Sequence, residues 1–285
     1  MDTMIDFIGI GAQKSGTSWA YTCLYDHPQV CAPIKEIHFF SRPRFSEGKE
    51  WYEHHFAACD LAKIKGEFST SYLYATEAPE RIHGLYPNAK LIAILRNPID
   101  RAYSQYRNAI KAGEIKEDTT FEFYAANDQS VLGQGMYAEQ IARFDRYFRP
   151  EQLLVLIYED IKKDPVLFMR RIYEFLGIDP AFVSSMVNDE INVARTPKHV
   201  WIDRVMHHVS ETLRKIGFDQ FVHMVRKSGI PDMVRNMNTK PKEKSAHTKT
   251  FDRASFVPHF ADDVSRLSKR INRDMTIEWL GTKNS

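Results

Sequence analysis

Cysteine is scarce in this sequence and unevenly placed. The 285 residues contain three cysteines, Cys23, Cys31 and Cys59, and none follows Cys59. Their number is odd and their spacing fits no metal-binding motif, so a metal site built on cysteine is excluded. We therefore predict reduced thiols and a location in the cytoplasm, where disulfides are rare.

Long apolar runs and a marked excess of one sign of charge are also missing. No stretch approaches the roughly 18 apolar residues of a membrane-spanning helix, and the first residues, MDTMIDFIGIG, lack the basic region of a signal peptide. The 39 basic side chains nearly balance the 37 acidic ones, for a formal net charge of +2. We therefore predict no integral membrane segment and no nucleic-acid partner, while a local basic cleft stays compatible with this balance.

The sequence instead contains short apolar strands that alternate with amphipathic helices. Strands are predicted at 5–11, 65–74, 90–96 and 152–160, and helices at 17–28, 78–88, 101–113, 136–148 and 165–177. Such alternation predicts an α/β fold in which helices cover both faces of a central parallel sheet. We expect a single domain over 1–285, with a lysine-rich loop or flap near 235–250 and a C-terminal helix.

A glycine-bounded loop follows the first strand. In IGIGAQKSGTSW, Gly11 and Gly16 have the spacing of a Walker A loop, but Thr17 stands where that motif needs lysine, and Lys14 lies inside the loop. The backbone N–H groups of such a loop, and the N-terminus of the helix after it, bind anions. No strand ends in an aspartate that could hold Mg²⁺, which disfavours a kinase. A tight turn with a solvated lysine is the simpler alternative.

Three further segments accompany this loop: KEIHFF at 35–40, GEFSTSY at 66–72 and LRNPIDRAYSQY at 95–106. Together with QKSGTSW they resemble the sulfotransferases that use 3′-phosphoadenosine 5′-phosphosulfate (PAPS), and especially the carbohydrate enzymes of the heparan sulfate type. The resemblance covers roughly the first two-thirds of the chain. It implies that the chain has a P-loop-type three-layer fold and is an enzyme.

The resemblance also implies a donor site. Its residues are Lys14, Ser15, Gly16, Thr17, Ser18, Trp19, Arg96 and Ser104. The loop would hold the 5′-phosphosulfate, with Lys14 near the oxygen that gains charge as its bond to sulfur breaks. Arg96 and Ser104 would hold the 3′-phosphate. Trp19 would stack on the adenine, with a tryptophan of the core as the alternative.

An acceptor must lose a proton as it attacks, and three residues are candidates to receive or direct that proton. Glu36 is our prediction for the general base, by resemblance to the Lys-Glu-x-His segment of the carbohydrate enzymes. His38 would orient the substrate or Glu36, or serve as the base itself. Glu67 would bind acceptor hydroxyls or Lys35, or form a structural ion pair. For Glu36 and His38, a surface Lys-Glu pair and a packed histidine remain the plain alternative.

The sequence therefore predicts a PAPS-dependent sulfotransferase that leaves 3′-phosphoadenosine 5′-phosphate (PAP) as product. The acceptor would be a hydroxyl or amine, of a carbohydrate or small metabolite, and no metal is expected. Two other classes stay open: a P-loop kinase or NTPase with a degenerate loop, and a non-catalytic PAP-binding protein on the same fold.

Overall fold

The computed structural model describes residues 5–61, 63–188 and 251–281, and a five-stranded sheet runs through these ranges. The strands are β1 Phe7–Gly11, β2 Val30–Cys31, β3 Ile64–Phe68, β4 Lys90–Leu95 and β5 Leu153–Ile157. They are paired in parallel in the order β2-β3-β1-β4-β5. Since parallel neighbours need crossover connections, helices must pass over the sheet between them. The predicted α/β architecture is confirmed.

Helices connect and follow the strands. They are α1 Thr17–Asp26, α2 Gly48–His54, α3 Ala78–Leu85, α4 Pro98–Ala112, α5 Phe121–Asn127, α6 Gln129–Gly133, α7 Tyr137–Phe144, α8 Tyr158–Lys163, α9 Pro165–Leu176 and α10 Val257–Ile271. The strand expected at 152–160 ends at Ile157, because α8 begins directly after it. Helix α10 matches the expected C-terminal helix, while the lysine-rich segment at 235–250 lies outside the described residues. Those residues belong to one compact unit, and a single domain over 1–285 stays a prediction.

The apolar core lies on both faces of the sheet. Leu91, Ala93 and Leu95 of β4 pack into one cluster, and Ile92 and Ile94 pack into the other. Because successive side chains of a strand point to opposite faces, a strand with an unbroken apolar run such as 91–95 must lie between two layers. The first layer contains α3, α4, α7 and α10, and the second contains α1, α8 and α9.

The start of α4 differs from the sequence prediction. The helix begins at Pro98, and the Asn97 side chain caps it by accepting hydrogen bonds from the N–H groups of Ile99 and Asp100. The sequence predicted this helix from residue 101, but proline is well suited to the first turn, which moves the start towards the strand. Asp100, in the first turn of α4, forms an ion pair with Arg253 of the range 251–281.

The expectation of three reduced thiols is wrong. Cys31, at the end of β2, forms a disulfide with Cys59, which follows α2. The chain turns back through α2 and brings the two Cα atoms to 5.8 Å, a distance suited to a disulfide. Cys23 is buried on α1 and is not disulfide-bonded. No helix in the described ranges is both long and apolar enough to span a bilayer.

Candidate active site

The donor loop, residues 11–18, connects β1 to α1 and depends on two glycines. A Cβ at Gly11 would lie 2.8 Å from Leu73 Cβ, and one at Gly16 would lie 2.9 Å from the Tyr158 ring. Gly16 also has a φ of 80°, which only glycine adopts without strain. No side chain of the described residues caps the N-terminus of α1. Its first N–H groups are therefore open to an anion.

Two polar groups of the donor loop have no hydrogen-bond or ion-pair partner among the described residues. Ser15 is fully buried, and its Oγ makes no hydrogen bond within the described residues. Lys14 is half-buried, and its ammonium forms no ion pair with any side chain described. Burial holds the pKa of Lys14 below its ordinary value, although Glu114 and Glu36 lie near enough to raise it. A buried hydroxyl and a half-buried cation without partners in the described part of the chain fit an anionic ligand.

Arg96 lies where β4 ends and joins the two predicted phosphate elements. Its guanidinium donates a hydrogen bond of 3.1 Å to the Lys14 carbonyl oxygen. The same group lies over the Tyr158 ring, 4.7 Å from its centroid, and the Arg96 carbonyl accepts a hydrogen bond from Tyr137. The guanidinium is thus held at the carboxyl edge of the sheet, where open α/β sheets bind ligands. Ser104 lies further along α4, partly exposed, and makes no hydrogen bond with Arg96.

The base segment, residues 35–38, runs beside the end of β3. Lys35 forms an isolated parallel bridge with Phe68, so the segment reaches the same edge of the sheet as the donor loop. Oε2 of Glu36 accepts hydrogen bonds from Thr70, 3.0 Å from its N and 2.8 Å from its Oγ1. Oε1 accepts from the Lys35 ammonium at 3.1 Å. Glu36 is therefore part of a built network and not of a surface pair.

The electrostatics of Glu36 keep it ionised near neutral pH. Burial raises its pKa, but Lys35 and the hydrogen bonds from Thr70 outweigh burial, and the pKa lies below its ordinary value. An ionised carboxylate can receive a proton, which a general base must do. The cost is a lower basicity, because the same neighbours stabilise the charged form.

His38 lies against Glu36 and completes the cluster. Its Nε2 is 3.2 Å from Glu36 Oε2, and its Nδ1 is 2.7 Å from Ser71 Oγ. Burial, together with Arg42, Lys35 and Arg44, holds the pKa of His38 below its ordinary value despite Glu36. In the neutral ring, Nε2–H is assigned as donor to Glu36, which leaves Nδ1 to accept from Ser71. Both ring nitrogens are then in use, which favours His38 as a residue that orients Glu36.

Glu67 does not meet either functional expectation. The side chain is fully buried in β3 and accepts hydrogen bonds from Ser69 at 2.6 Å, Tyr72 at 2.6 Å and Tyr52 at 3.4 Å. Burial raises its pKa to about 7. It therefore forms no ion pair with Lys35, and full burial keeps it from acceptor hydroxyls. Its role is to hold the turn after β3.

Trp19 and the two hydroxyl residues before it occupy different positions. Trp19 is buried in the core and packs edge-on against Phe168 with ring centroids 5.8 Å apart. A ring enclosed by the core has no face for adenine, so the core alternative describes its position. Thr17 is buried at the start of α1, whereas Ser18 is exposed and accepts a hydrogen bond from Lys35.

The sequence prediction offered the Lys35–Glu36 contact only as a surface pair, and it missed Thr70 and Ser71 as partners of Glu36 and His38. Lys35, Thr70 and Ser71 lie within the segments KEIHFF and GEFSTSY, so their sequence signal was membership of those segments. Among the described residues, no three His, Cys, Asp or Glu side chains are grouped to hold a metal ion. The expected absence of a metal stays a prediction.

The known proteins that this chain resembles are sulfotransferases. The family model described as "Sulfotransferase domain" matches residues 4–229. Human bifunctional heparan sulfate N-deacetylase/N-sulfotransferase 3 is 32% identical over 202 residues, which cover 64% of this chain and 23% of that protein. Mouse heparan sulfate glucosamine 3-O-sulfotransferase 6 is 32% identical over 179 residues, which cover 59% of this chain and 51% of that protein. The chain thus spans under a quarter of the first relative and about half of the second.

One solved structure shares the fold described above. It is a sulfotransferase from Alicyclobacillus acidocaldarius, with a TM-score of 0.67 and 24% sequence identity. The superposition covers 98% of this chain and 99% of the other. At this identity the likeness shows the fold alone, and that fold agrees with the predicted P-loop-type arrangement.

Proposed function

The chain belongs to the sulfotransferase domain family, and on that premise we propose that it transfers the sulfuryl group of PAPS to a hydroxyl or amine acceptor. The observation that carries the proposal is that the donor loop and Arg96 meet at one edge of the sheet, where Lys14 and Ser15 have no partner within the described ranges. The Glu36 cluster lies at the same edge. These are the parts that donor binding and acceptor deprotonation require.

The donor would be held by two groups of residues. The N–H groups of the donor loop, with Ser15, Gly16, Thr17 and Ser18, would bind the 5′-phosphosulfate. Arg96 and Ser104 would bind the 3′-phosphate, for which a fixed guanidinium is well suited. Bound PAPS supplies an activated sulfuryl group. Trp19 is not included, because its ring is enclosed by the core.

The transfer itself would use Lys14 and Glu36. Glu36 receives the acceptor proton while the acceptor oxygen or nitrogen forms its bond to sulfur. Lys14 offsets the charge on the phosphate oxygen as the bond between that oxygen and sulfur breaks, which leaves PAP. Because this charge grows during the step, Lys14 stabilises the transition state more than the bound donor.

A carbohydrate or small metabolite is the proposed acceptor. The curated relatives named above are heparan sulfate enzymes, and Arg42 and Arg44 lie close enough to His38 to lower its pKa. These basic side chains near the base segment favour an acceptor with anionic groups over a neutral one.

The cytoplasmic location stays a prediction, and one observation weighs against it. Disulfides persist in oxidising compartments and are rare in the cytosol, whereas Cys31 and Cys59 are bonded in this structure.

A labelled-donor screen tests the proposal. PAPS carrying ³⁵S is incubated in the presence of EDTA with panels of glycans, phenols, lipids and amines, and the Glu36→Gln variant serves as control. We expect label in at least one acceptor with the wild-type chain alone. PAP binding without transfer to any acceptor class would favour the non-catalytic alternative, and phosphoryl transfer from ATP with Mg²⁺ would favour the kinase.

A further inference from the structure

Lys35 lies between the donor loop and the base segment. Its ammonium nitrogen is 3.1 Å from Ser18 Oγ and 3.1 Å from Glu36 Oε1. The Lys35 side chain is 13% exposed; its contact with Glu36 is partly buried, and its contact with Ser18 lies at the exposed surface. A cation thus joins the helix that starts at the donor loop to the carboxylate proposed as the base.

The two oxygens of Glu36 are not equally available. Oε2 has three neighbouring donors: Thr70 N, Thr70 Oγ1 and His38 Nε2. A carboxylate oxygen has two lone pairs, so Oε2 is already saturated. Oε1 has the single described contact with Lys35. Oε1 is therefore the oxygen with room to accept a hydrogen bond from an acceptor group.

We propose that Lys35 positions Oε1 of Glu36 for the acceptor and then transfers its ammonium contact from that oxygen to the donor's phosphosulfate. This inference rests on the proposed function. As Oε1 takes the acceptor proton, the carboxylate becomes neutral and its attraction for Lys35 is lost. Ser18 already holds the ammonium beside the donor loop, so the cation is free to face the oxygens that gain charge as the bond to sulfur breaks.

The step balances in protons and charge. The acceptor loses a proton to Glu36 and gains a bond to sulfur, and the electron pair of the broken S–O bond stays on the phosphate of PAP. Lys35 keeps its own proton throughout. Its contribution is to keep positive charge next to whichever group is negative, first the carboxylate and then the departing phosphate.

A change at Lys35 should therefore alter the titration of Glu36. The charged and titratable groups that face Glu36 are Lys35 and His38 from its own segment, Lys14 from the donor loop and Glu67 from β3. Of these, Lys35 alone makes an ion pair with Oε1 among the described residues. Removing a neighbouring cation disfavours the charged carboxylate, so its pKa must rise.

The decisive experiment compares Lys35→Met, Lys35→Arg and the exposed control Lys269→Met. Carbon-13 NMR of glutamate carboxyls, with the Glu36 signal assigned through Glu36→Gln, measures the Glu36 pKa directly. We expect it to rise in Lys35→Met and to return towards the wild-type value in Lys35→Arg. Single-turnover transfer should fall about 100-fold in Lys35→Met, as for a misplaced reacting group, while PAP affinity changes about fivefold or less.

Each outcome decides the inference. An unchanged Glu36 pKa in Lys35→Met, measured in a variant whose circular dichroism shows it folded, overturns the pairing. A loss of PAP affinity equal to the loss of rate makes Lys35 a plain donor anchor and also overturns the inference. Because the NMR titration and PAP calorimetry need no acceptor, they stand even if no sulfuryl transfer is found. Failure of the proposed function is thus separable from failure of this inference.

Discussion

The Arg96 guanidinium donates a hydrogen bond of 3.1 Å to the carbonyl oxygen of Lys14, 82 residues earlier in the chain. This contact joins the end of β4 to the donor loop. It fixes the guanidinium relative to the loop, so that the two elements proposed to bind phosphate are preorganised as one site.

PAP should bind more tightly than AMP, and without metal. In the proposed donor site the guanidinium of Arg96 and the hydroxyl of Ser104 would recognise the 3′-phosphate through charge-assisted hydrogen bonds. In calorimetry with EDTA, Arg96→Met should remove most of the preference, whereas the exposed Arg171→Met should retain it. Equal affinity of the wild-type chain for PAP and AMP would contradict the assignment of the 3′-phosphate site.

Lys14→Ala should slow transfer by about 100- to 1000-fold, the usual loss for one group that stabilises developing charge. PAP affinity should change much less, because in the proposed mechanism the charge that Lys14 would offset appears only during the reaction. Rapid-quench turnover and calorimetry on the same preparation separate the two effects. An unchanged kcat with weaker PAP binding would assign Lys14 to anchoring.

Glu36→Gln should lower the rate by about 100- to 10,000-fold, as for loss of a general base, and should leave PAP binding intact. Glutamine keeps the shape of the side chain but cannot take the acceptor proton. His38→Ala should cost less, since both of its ring nitrogens already have partners. Single-turnover assays of the two variants with the same acceptor compare them, and the reverse order of losses would make His38 the base.

The Cys31–Cys59 disulfide should be detectable by counting thiols. Under denaturing conditions one thiol per chain should react before reduction and three after it, because Cys23 is not disulfide-bonded. The bond closes a loop with a sequence separation of 28, so the Cys31→Ala/Cys59→Ala variant should lose about 3 kcal/mol of unfolding free energy. Urea denaturation measures this loss, and a reduced wild-type sample is the matched control. Three reactive thiols without reductant would contradict the bond.

Glu67 should make stability fall as pH rises. Its pKa is raised from 4.5 to about 7 by burial, so the folded state holds this proton over a pH range where the unfolded state has released it. Stability from this group is therefore complete below about pH 4.5 and is lost as pH rises through 7, by about 3 kcal/mol. Glu67→Gln does not titrate. In urea denaturation, the unfolding free energy of the wild-type chain relative to Glu67→Gln should therefore fall between pH 4.5 and about 7. A difference that does not change with pH would show that Glu67 has an ordinary pKa.

Local patterns in the sequence determined the central strands, the donor loop and the family of this protein. The apolar run of β4 predicted a strand buried on both faces, since every second side chain meets the opposite layer. Gly11 and Gly16 marked the donor loop, because the close packing at both positions and the positive φ at Gly16 require glycine. The segments that carry Lys14, Glu36 and Arg96 indicated the family, which the match over residues 4–229 confirms.

Only the tertiary structure decided which partners these residues have. Cys31 meets Cys59 because α2 turns the chain back. Glu36 meets Thr70 because the base segment runs beside β3. Trp19 faces the core and not the carboxyl edge of the sheet. Such contacts join residues that are far apart in sequence and follow no period of 2 or 3.6, so no local pattern encodes them. The saturation of one Glu36 oxygen, and hence the role inferred for Lys35, depends entirely on contacts of this kind.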